Sequence, residues 1–199
     1  MVRKPRKTFF AALVAACMAA AVFAAPAQAR ERYTVDPVHS SVVFRIKHMG
    51  IAWFYGRFNT IVGEFVFDEE QPENSMVRMT VPVKSVDTHN DKRDEHLRSA
   101  DFFNAVKYPE MSFESNSVER TGPKTCKARG NFTMMGTTRP LTCTVYHTGE
   151  GKGPEKRHRQ GFETHFALSR GDFGMEYGLD GLLGNGVEVT LSVEGVLVE

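Results

Sequence analysis

The sequence predicts an all-β protein: an extended antiparallel barrel of eight strands with a short helical crossover around Asp91–Ser99. Outside the crossover, the chain runs in short stretches of alternating apolar and polar residues separated by Gly, Pro, Asn and Asp, as strands joined by turns do. There are about eight such stretches, and eight strands can close into a barrel that holds one small ligand. A β-sandwich whose two sheets fill each other's core is the alternative.

Residues 1–29 are predicted to be a signal peptide for export, followed by one domain at residues 30–199. Four basic residues precede an apolar run at 8–25, and Ala27 and Ala29 place small residues where a signal peptidase cleaves. The run is shorter than the roughly 20 apolar residues of a membrane span, so no integral span is expected after cleavage. A lipoprotein with Cys17 as its lipidated first residue is a minor alternative.

Charge and motifs exclude several classes of protein. Four of the 25 basic residues belong to the signal, which leaves 21 against 24 acidic ones in a mature chain of 170 residues. A slightly acidic chain argues against nucleic-acid binding. There is no Gly-x-Ser-x-Gly elbow, phosphate loop or dinucleotide fingerprint, so we expect no enzyme and no required cofactor. Asp94 with His96 could in principle serve as a base.

The first two predicted strands run from about Val38 to Met49 and from Trp53 to Asp68. In the second, the apolar positions change parity near Asn59. A bulge there would keep both halves facing inward while bending the strand, as a barrel requires. The next strand carries Pro82, which cannot donate a ladder hydrogen bond and predicts an edge or a bulge.

The charged crossover at residues 85–109 is expected to close or line the mouth of the barrel, with Asp87 or Thr88 as its helix cap. Further strands are predicted near residues 111–117, 125–134, 141–147, 162–168 and 187–197. The stretch 149–160 is predicted to be an exposed linker, and the Gly-rich stretch 171–186 a mobile loop.

Cys126 and Cys143 flank a predicted hairpin. If Met135 and Gly136 form the turn, Cys126 faces Val145, and Cys143 lies two residues further along the same face. A disulfide fits this diagonal, and so do two packed free thiols.

Aromatic side chains are plentiful on the predicted inward faces, where they either fill a core or line a pocket. The predicted pocket residues are Phe44, Ile46, His48, Phe54, Phe58, Phe65, Phe67, Met79, Val81, Phe102, Phe113, Phe132, Met134, Phe162 and Phe166.

Several motifs in order resemble the YceI-like family of exported proteins over nearly all of the mature chain. They include Asp36-Pro37-Val38-His39-Ser40, Gly56-Arg57-Phe58, Arg93-Asp94-Glu95-His96-Leu97-Arg98-Ser99, Asp101-Phe102-Phe103-Asn104, Gly130-Asn131-Phe132-Thr133 and Val193-Glu194-Gly195. Cys126, Cys143 and the basic stretch 156–159 depart from the pattern and put in doubt which ligand fits.

The resemblance implies a lipocalin-like barrel in the periplasm that holds a polyisoprenoid, such as a polyprenyl phosphate or an isoprenoid quinone, for transport, storage or shielding. A structural or partner-binding barrel with a solid core is the alternative, and an enzyme acting on an isoprenoid is a weaker one. The head group, the chain length, the delivery partners and the oligomeric state stay open, with a homodimer among the alternatives.

The crossover supplies the candidate contacts to the ligand's head group: Arg93, Asp94, His96 and Arg98. A phosphate would favour Arg93 or Arg98 through forked hydrogen bonds. Alternatively, these charges merely brace the segment. His39, His48, His89 and His96 match no metal-ligand spacing, so no metal site is expected.

Overall fold

The computed structural model describes Met1 and residues 30–198; the rest of the predicted signal, with Cys17, lies outside the described residues. The strands are β1 Glu31–Val35, β2 Ser41–His48, β3 Ala52–Phe58, β4 Val62–Phe67, β5 Met76–Pro82, β6 Val86–Asp87, β7 Glu110–Gly122, β8 Thr125–Met134, β9 Thr137–Lys152, β10 His158–Ser169 and β11 Leu183–Leu197. The described residues also form one α-helix, α1 Asp91–Arg98, and three short 3-10 helices, Pro72–Asn74, Val83–Ser85 and Arg170–Phe173.

Eight of these strands close into an antiparallel ring. Its order is β1-β4-β5-β7-β8-β9-β10-β11, and β11 pairs back with β1. From β11 the sheet also continues through β2 and β3 to β6. The predicted eight-stranded barrel with a helical crossover is therefore confirmed, and the β-sandwich alternative is wrong.

Two features explain how the ring and its extension share one sheet: β11 changes partner along its length, and the chain breaks between β3 and β4. The first part of β11 pairs with β2, and its last residues, from Gly195 to Leu197, pair with β1. β3 and β4 likewise lie on the two sides of a break, where Phe58 and Ile61 are both buried. The chain bends near Asn59 as predicted, but the single bulged strand predicted from Trp53 to Asp68 is wrong, because the chain leaves the sheet between Phe58 and Val62 and forms two strands. The Asn59 amide donates to the Ser85 carbonyl instead of to a ladder partner.

Three other predicted boundaries are also wrong. β1 precedes the predicted first strand. The predicted linker at 149–160 is mostly paired strand in β9 and β10, and Gln160 within it is buried. β11 begins at Leu183, inside the predicted loop. In each case backbone pairing incorporates polar and Gly-rich residues that side-chain alternation alone does not assign to a strand.

Long strands make the barrel elongated. β9 and β11 have 16 and 15 residues, and at about 3.3 Å per residue β9 reaches on the order of 50 Å. Gly136, in the β8–β9 turn, lies near Tyr108 at the α1 end, whereas the β9–β10 turn lies at the opposite end, called here the far end. Among the described residues, no helix is both long and apolar enough to cross a membrane.

Candidate ligand-binding cavity

A cavity of about 550 Å³ runs inside the barrel, lined by residues of β2 to β5, α1 and β7 to β11. This volume lies within the range of about 300–1,000 Å³ that small-molecule sites occupy. All fifteen predicted pocket residues lie on its wall. Their contact with a ligand stays a prediction.

The aromatic side chains pack against one another along the wall and leave the interior open. Phe162 makes edge contacts with Phe65 and Phe67, with ring centroids 5.2 and 5.1 Å apart. Phe58 makes tilted and edge contacts with Phe44 and Phe103, both at 5.6 Å. Such edge and tilted arrangements are favourable for aromatic rings, so the rings stabilise the wall and also line the cavity.

Gly56 makes room for one of these rings. A Cβ atom at Gly56 would lie 2.3 Å from Cζ of Phe44 on the neighbouring strand. The ring of Phe44 therefore lies flat against the backbone of β3. Any larger residue at this position would push the ring into the cavity, so the glycine keeps the cavity open.

Arg93 is a cation on the cavity wall at the α1 end. Its Nε donates to Thr88 Oγ1 and its Nη2 to the Thr88 carbonyl, both at 2.8 Å. Its guanidinium lies over the ring of Phe54, 4.3 Å from the centroid. The helix cap is Asn90, whose side chain accepts from the Arg93 amide at 3.0 Å. The predicted caps, Asp87 and Thr88, are therefore wrong.

Asp94 and Arg98 brace the crossover and do not line the cavity. Asp94 is buried and accepts hydrogen bonds from the amide and hydroxyl of Thr88. Arg98 donates to the carbonyls of Lys84 and Val86, at 3.1 and 2.9 Å. Of the four predicted head-group residues, the structure thus brings Arg93 and His96 to the cavity and uses the other two to hold α1 against β6.

His96 connects α1 with the loop before β11. Its Nε2 pairs with Asp101 Oδ2 at 2.9 Å, and its ring meets Phe102 and Tyr177 edge-on, each with centroids 5.0 Å apart. His96, Phe102 and Tyr177 all line the cavity. They form part of the mouth of the cavity at the α1 end.

The far end of the cavity is lined by charged and polar residues, among them Glu69, Arg120 and Lys124. Arg120 donates to the Glu69 carbonyl. His147 also lines the cavity, and its Nε2 pairs with Gln160 Oε1 at 2.7 Å. The predicted pocket residues do not include His147. The pattern of β9 does indicate it, because His147 follows Val145 by two residues and so lies on the same inward face.

Arg170 on the cavity wall was also missed. It is 1% exposed, and its guanidinium donates to the carbonyls of Gly184, Met175 and Leu183 at 2.8, 3.0 and 3.3 Å. Burial lowers the pKa of this guanidinium. Its neighbours in the sequence read as a loop, and nothing in that pattern indicates a buried cation.

The comparison with known proteins agrees with this architecture. The chain matches the YceI-like domain over residues 33–195. It belongs to the YceI-like family. UPF0312 proteins of Pseudomonas aeruginosa and Yersinia pestis are 40% and 37% identical to it, over 92% and 94% of this chain and 96% and 97% of theirs. The resemblance noted in the sequence is therefore confirmed.

Solved structures share the fold. A YceI protein of Campylobacter jejuni superposes with a TM-score of 0.69 at 28% identity, over 77% of this chain and 90% of that one. BcnA of Burkholderia cenocepacia gives 0.74 at 21% identity, over 80% and 98%. A polyisoprenoid binding domain from Saccharophagus degradans gives 0.67 at 13% identity, over 83% and 98%. The last two likenesses establish the fold alone.

In this YceI-like protein, Cys126 and Cys143 are free thiols on the cavity wall. The register is as predicted, with Cys126 opposite Val145 and Cys143 opposite Ala128. Burial raises the pKa of both thiols. A raised pKa disfavours the thiolate, which is the form that alkylating reagents attack.

Asp36, His39 and Glu194 form a cluster of metal-type ligands at the β1–β2 turn. Arg159 already pairs with both carboxylates, lying 2.8 Å from Asp36. The hydrogen bond from His39, together with that from Arg159, holds the pKa of Asp36 well below its usual range. The cluster therefore functions as an ion-pair network that joins β1, β10 and β11.

Proposed function

We propose that this YceI-like protein binds a long polyisoprenoid in its cavity and keeps the chain away from water, so that it carries, stores or shields the lipid. The observation that carries the proposal is the long cavity, whose wall consists mostly of Phe, Met, Val and Leu side chains. The Saccharophagus degradans polyisoprenoid binding domain has the same fold, which supports this choice of ligand.

The energetics favour a long apolar ligand but do not select its length. Burying apolar carbon yields about 0.8 kcal/mol per CH₂, so one five-carbon isoprene unit offers on the order of 4 kcal/mol before costs. Four or five units would already approach the practical limit of about 18–21 kcal/mol for noncovalent binding. A longer chain therefore loses the gain to ordering or extends beyond the cavity. Flexible Met79 and Met134 suit an irregular chain.

The head group is proposed to lie at the α1 mouth. Arg93 is held over Phe54 by two hydrogen bonds to Thr88, and its third nitrogen, Nη1, has no such bond to Thr88. A phosphate would accept from this guanidinium in a forked arrangement. A quinone needs neutral donors instead, and His96 and Tyr177 are the polar aromatic groups at the same mouth. A binding role of this kind requires no cofactor.

We further propose that the protein acts in the periplasm, after cleavage of residues 1–29. Export would place it where polyisoprenoid lipids need a protein to cover their chains in water.

The test is lipid identification on protein purified without detergent or an affinity tag. Mass spectrometry of its chloroform extract is expected to find a polyisoprenoid near one molecule per protein. Cys126 and Cys143 provide an independent measurement, because a bound chain would cover them. Alkylation of both thiols should be faster in delipidated protein than in protein as purified. An extract without lipid, with equal alkylation rates, would support the solid-core alternative instead.

A further inference from the structure

Exposed apolar side chains concentrate beside the α1 mouth. The β2–β3 turn carries Met49 and Ile51, which are 51% and 77% exposed, and the loop before β11 carries Tyr177, Leu179 and Leu182, which are 38–43% exposed. We call these five residues the apolar rim. Contiguous exposed apolar surface of this kind marks an interaction site.

The apolar rim is one surface and is continuous with the cavity. The Met49 amide donates to the Leu182 carbonyl at 2.8 Å, which joins the β2–β3 turn to the loop. Tyr177 contacts His96 of α1. Tyr177 and Leu182 also line the cavity. An apolar chain that leaves the cavity at this end would therefore pass directly over the rim.

A band of aromatic and cationic side chains lies behind the rim on the outer face of β2 and β3. Arg45 and Lys47 lie over the ring of Trp53, 4.4 and 4.6 Å from its centroid. Arg45 also donates to the hydroxyl of Tyr55 at 3.4 Å. Trp and Tyr with Lys or Arg behind an apolar tip are the arrangement that proteins place at a membrane–water interface.

Charge around the rim is nearly balanced. Lys92 and Arg93 of α1 face the solvent, and so do Glu176 and Asp180 of the loop. Arg45 is paired with Glu188. A surface without a strong excess of either sign does not depend on anionic lipids, so its attraction to a membrane must come from apolar contact.

We propose that the apolar rim docks on the surface of a phospholipid bilayer, with Met49, Ile51 and Leu182 among the acyl chains and Trp53 at the level of the head groups. Docking would place the α1 mouth against the membrane, so that the ligand passes between bilayer and cavity without crossing water. This inference rests on the proposed lipid-binding function.

Trp53 makes the proposal directly testable, because it is the protein's one tryptophan. With vesicles of phosphatidylcholine, its emission should shift to shorter wavelength, and lipids brominated near the head group should quench it. Flotation with the same vesicles measures the binding itself. Adding anionic lipid or raising the salt concentration should change the binding by less than about threefold, since charge contributes little.

The variant M49N/I51N is expected to bind vesicles roughly tenfold or more weakly, because two apolar side chains no longer enter the interface. V38N is the matched control, since Val38 is 80% exposed and lies in the β1–β2 turn. The Asp36 amide of that turn donates to the Glu194 carbonyl, and Glu194 lies eleven residues along β11 from Leu183. At about 3.3 Å per residue, the turn is therefore about 35 Å from the apolar rim. V38N should bind as the parent protein does.

Three results would overturn docking: no vesicle binding by the parent protein, equal binding by M49N/I51N, or a dimer that M49N/I51N dissociates, which would make a second copy the partner of the rim. Chloroform extracts of the same preparations separate this proposal from the proposed function. Lipid in the extract together with no vesicle binding would remove docking and leave lipid binding in place.

Discussion

The two ends of the barrel are built differently. At the far end β1 closes the ring between β4 and β11, and Tyr33 of β1 is fully buried and stacks on Phe65. At the α1 end, β11 pairs with β2 instead of β1, and β2 pairs with β3. β3 then pairs with the two-residue β6, which α1 covers. The far end is thus tied by continuous strand pairing, whereas a helix and two loops surround the other end.

At the far end, the buried Tyr33 holds polar side chains that lie off the cavity wall. The Tyr33 hydroxyl donates to Glu31 and lies 2.9 Å from Nδ1 of His158. Burial raises the pKa of Tyr33 well above its usual value, so this hydroxyl stays a donor. At the α1 mouth, Arg93 and His96 contact the cavity. Under the proposed function, the strand pairing at the far end supports the fold and the ligand enters and leaves at the α1 end.

The largest expected effect comes from blocking the cavity between the two ends. Val145 lines the cavity, whereas Val86 is 1% exposed and lies off its wall. V145W should remove more than about nine-tenths of the bound lipid, because the indole would occupy the cavity in place of the ligand. The protein should stay folded, because the cavity has room for the indole. V86W should instead lose about 3 kcal/mol or more of unfolding free energy through overpacking. Lipid extraction and urea unfolding measure the two effects, and full lipid content in V145W would contradict a continuous cavity.

Exchanging the arginines at the two ends tests where the head group lies. R93Q should weaken binding of a polyprenyl phosphate by about 10- to 100-fold, because it removes a charge-assisted hydrogen bond of about 1.5–3 kcal/mol. R120Q is the matched control, since Arg120 is also exposed and lines the far end, and its effect should stay within about threefold. The measurement is titration of delipidated protein. The opposite order would place the head group at the far end.

Y33F should affect the far end alone. Loss of the Tyr33 hydroxyl removes its contacts to Glu31 and His158 and should lower the unfolding free energy by about 1 kcal/mol. Affinity for the lipid should change by less than about twofold. Urea unfolding and lipid titration of the same preparation measure both quantities. An equal loss in binding and stability would mean that the two ends do not have separate roles.

The smallest effect is a pH dependence of stability at the β1–β2 turn. Asp36 has a pKa below its ordinary value of 3.8, so its contribution is complete above that value and is lost as the pH falls below it. His39 has a pKa raised above 6.5, chiefly by its hydrogen bond to Asp36, so its contribution is complete below that pH and is lost as the pH rises through the raised value. D36N should flatten both parts of a plot of Tm against pH.

The barrel and most of its lining could be predicted because inward positions repeat every two residues in a strand, and the parity change near Asn59 marked the bend. The strand that closes the ring, β1, could not be predicted, because Tyr33 and Val35 are its only two inward apolar residues. Asn90 displaced the predicted caps because Asp87 and Thr88 are occupied by His89 and Asp94. Alternation records neither these local side-chain hydrogen bonds nor the pairing of β1 with the distant strands β4 and β11.

The proposed function requires an open apolar cavity that a hydrocarbon chain occupies. A crystal structure of the natively purified protein tests it most directly. We predict continuous elongated density that runs from Arg93 at the α1 mouth past Phe58 and Phe132 to Cys126 in the far half, with every one of these side chains on the cavity wall. Aromatic and methionine side chains that meet across the centre, with no elongated space between them, would rule out a hydrocarbon chain inside the barrel.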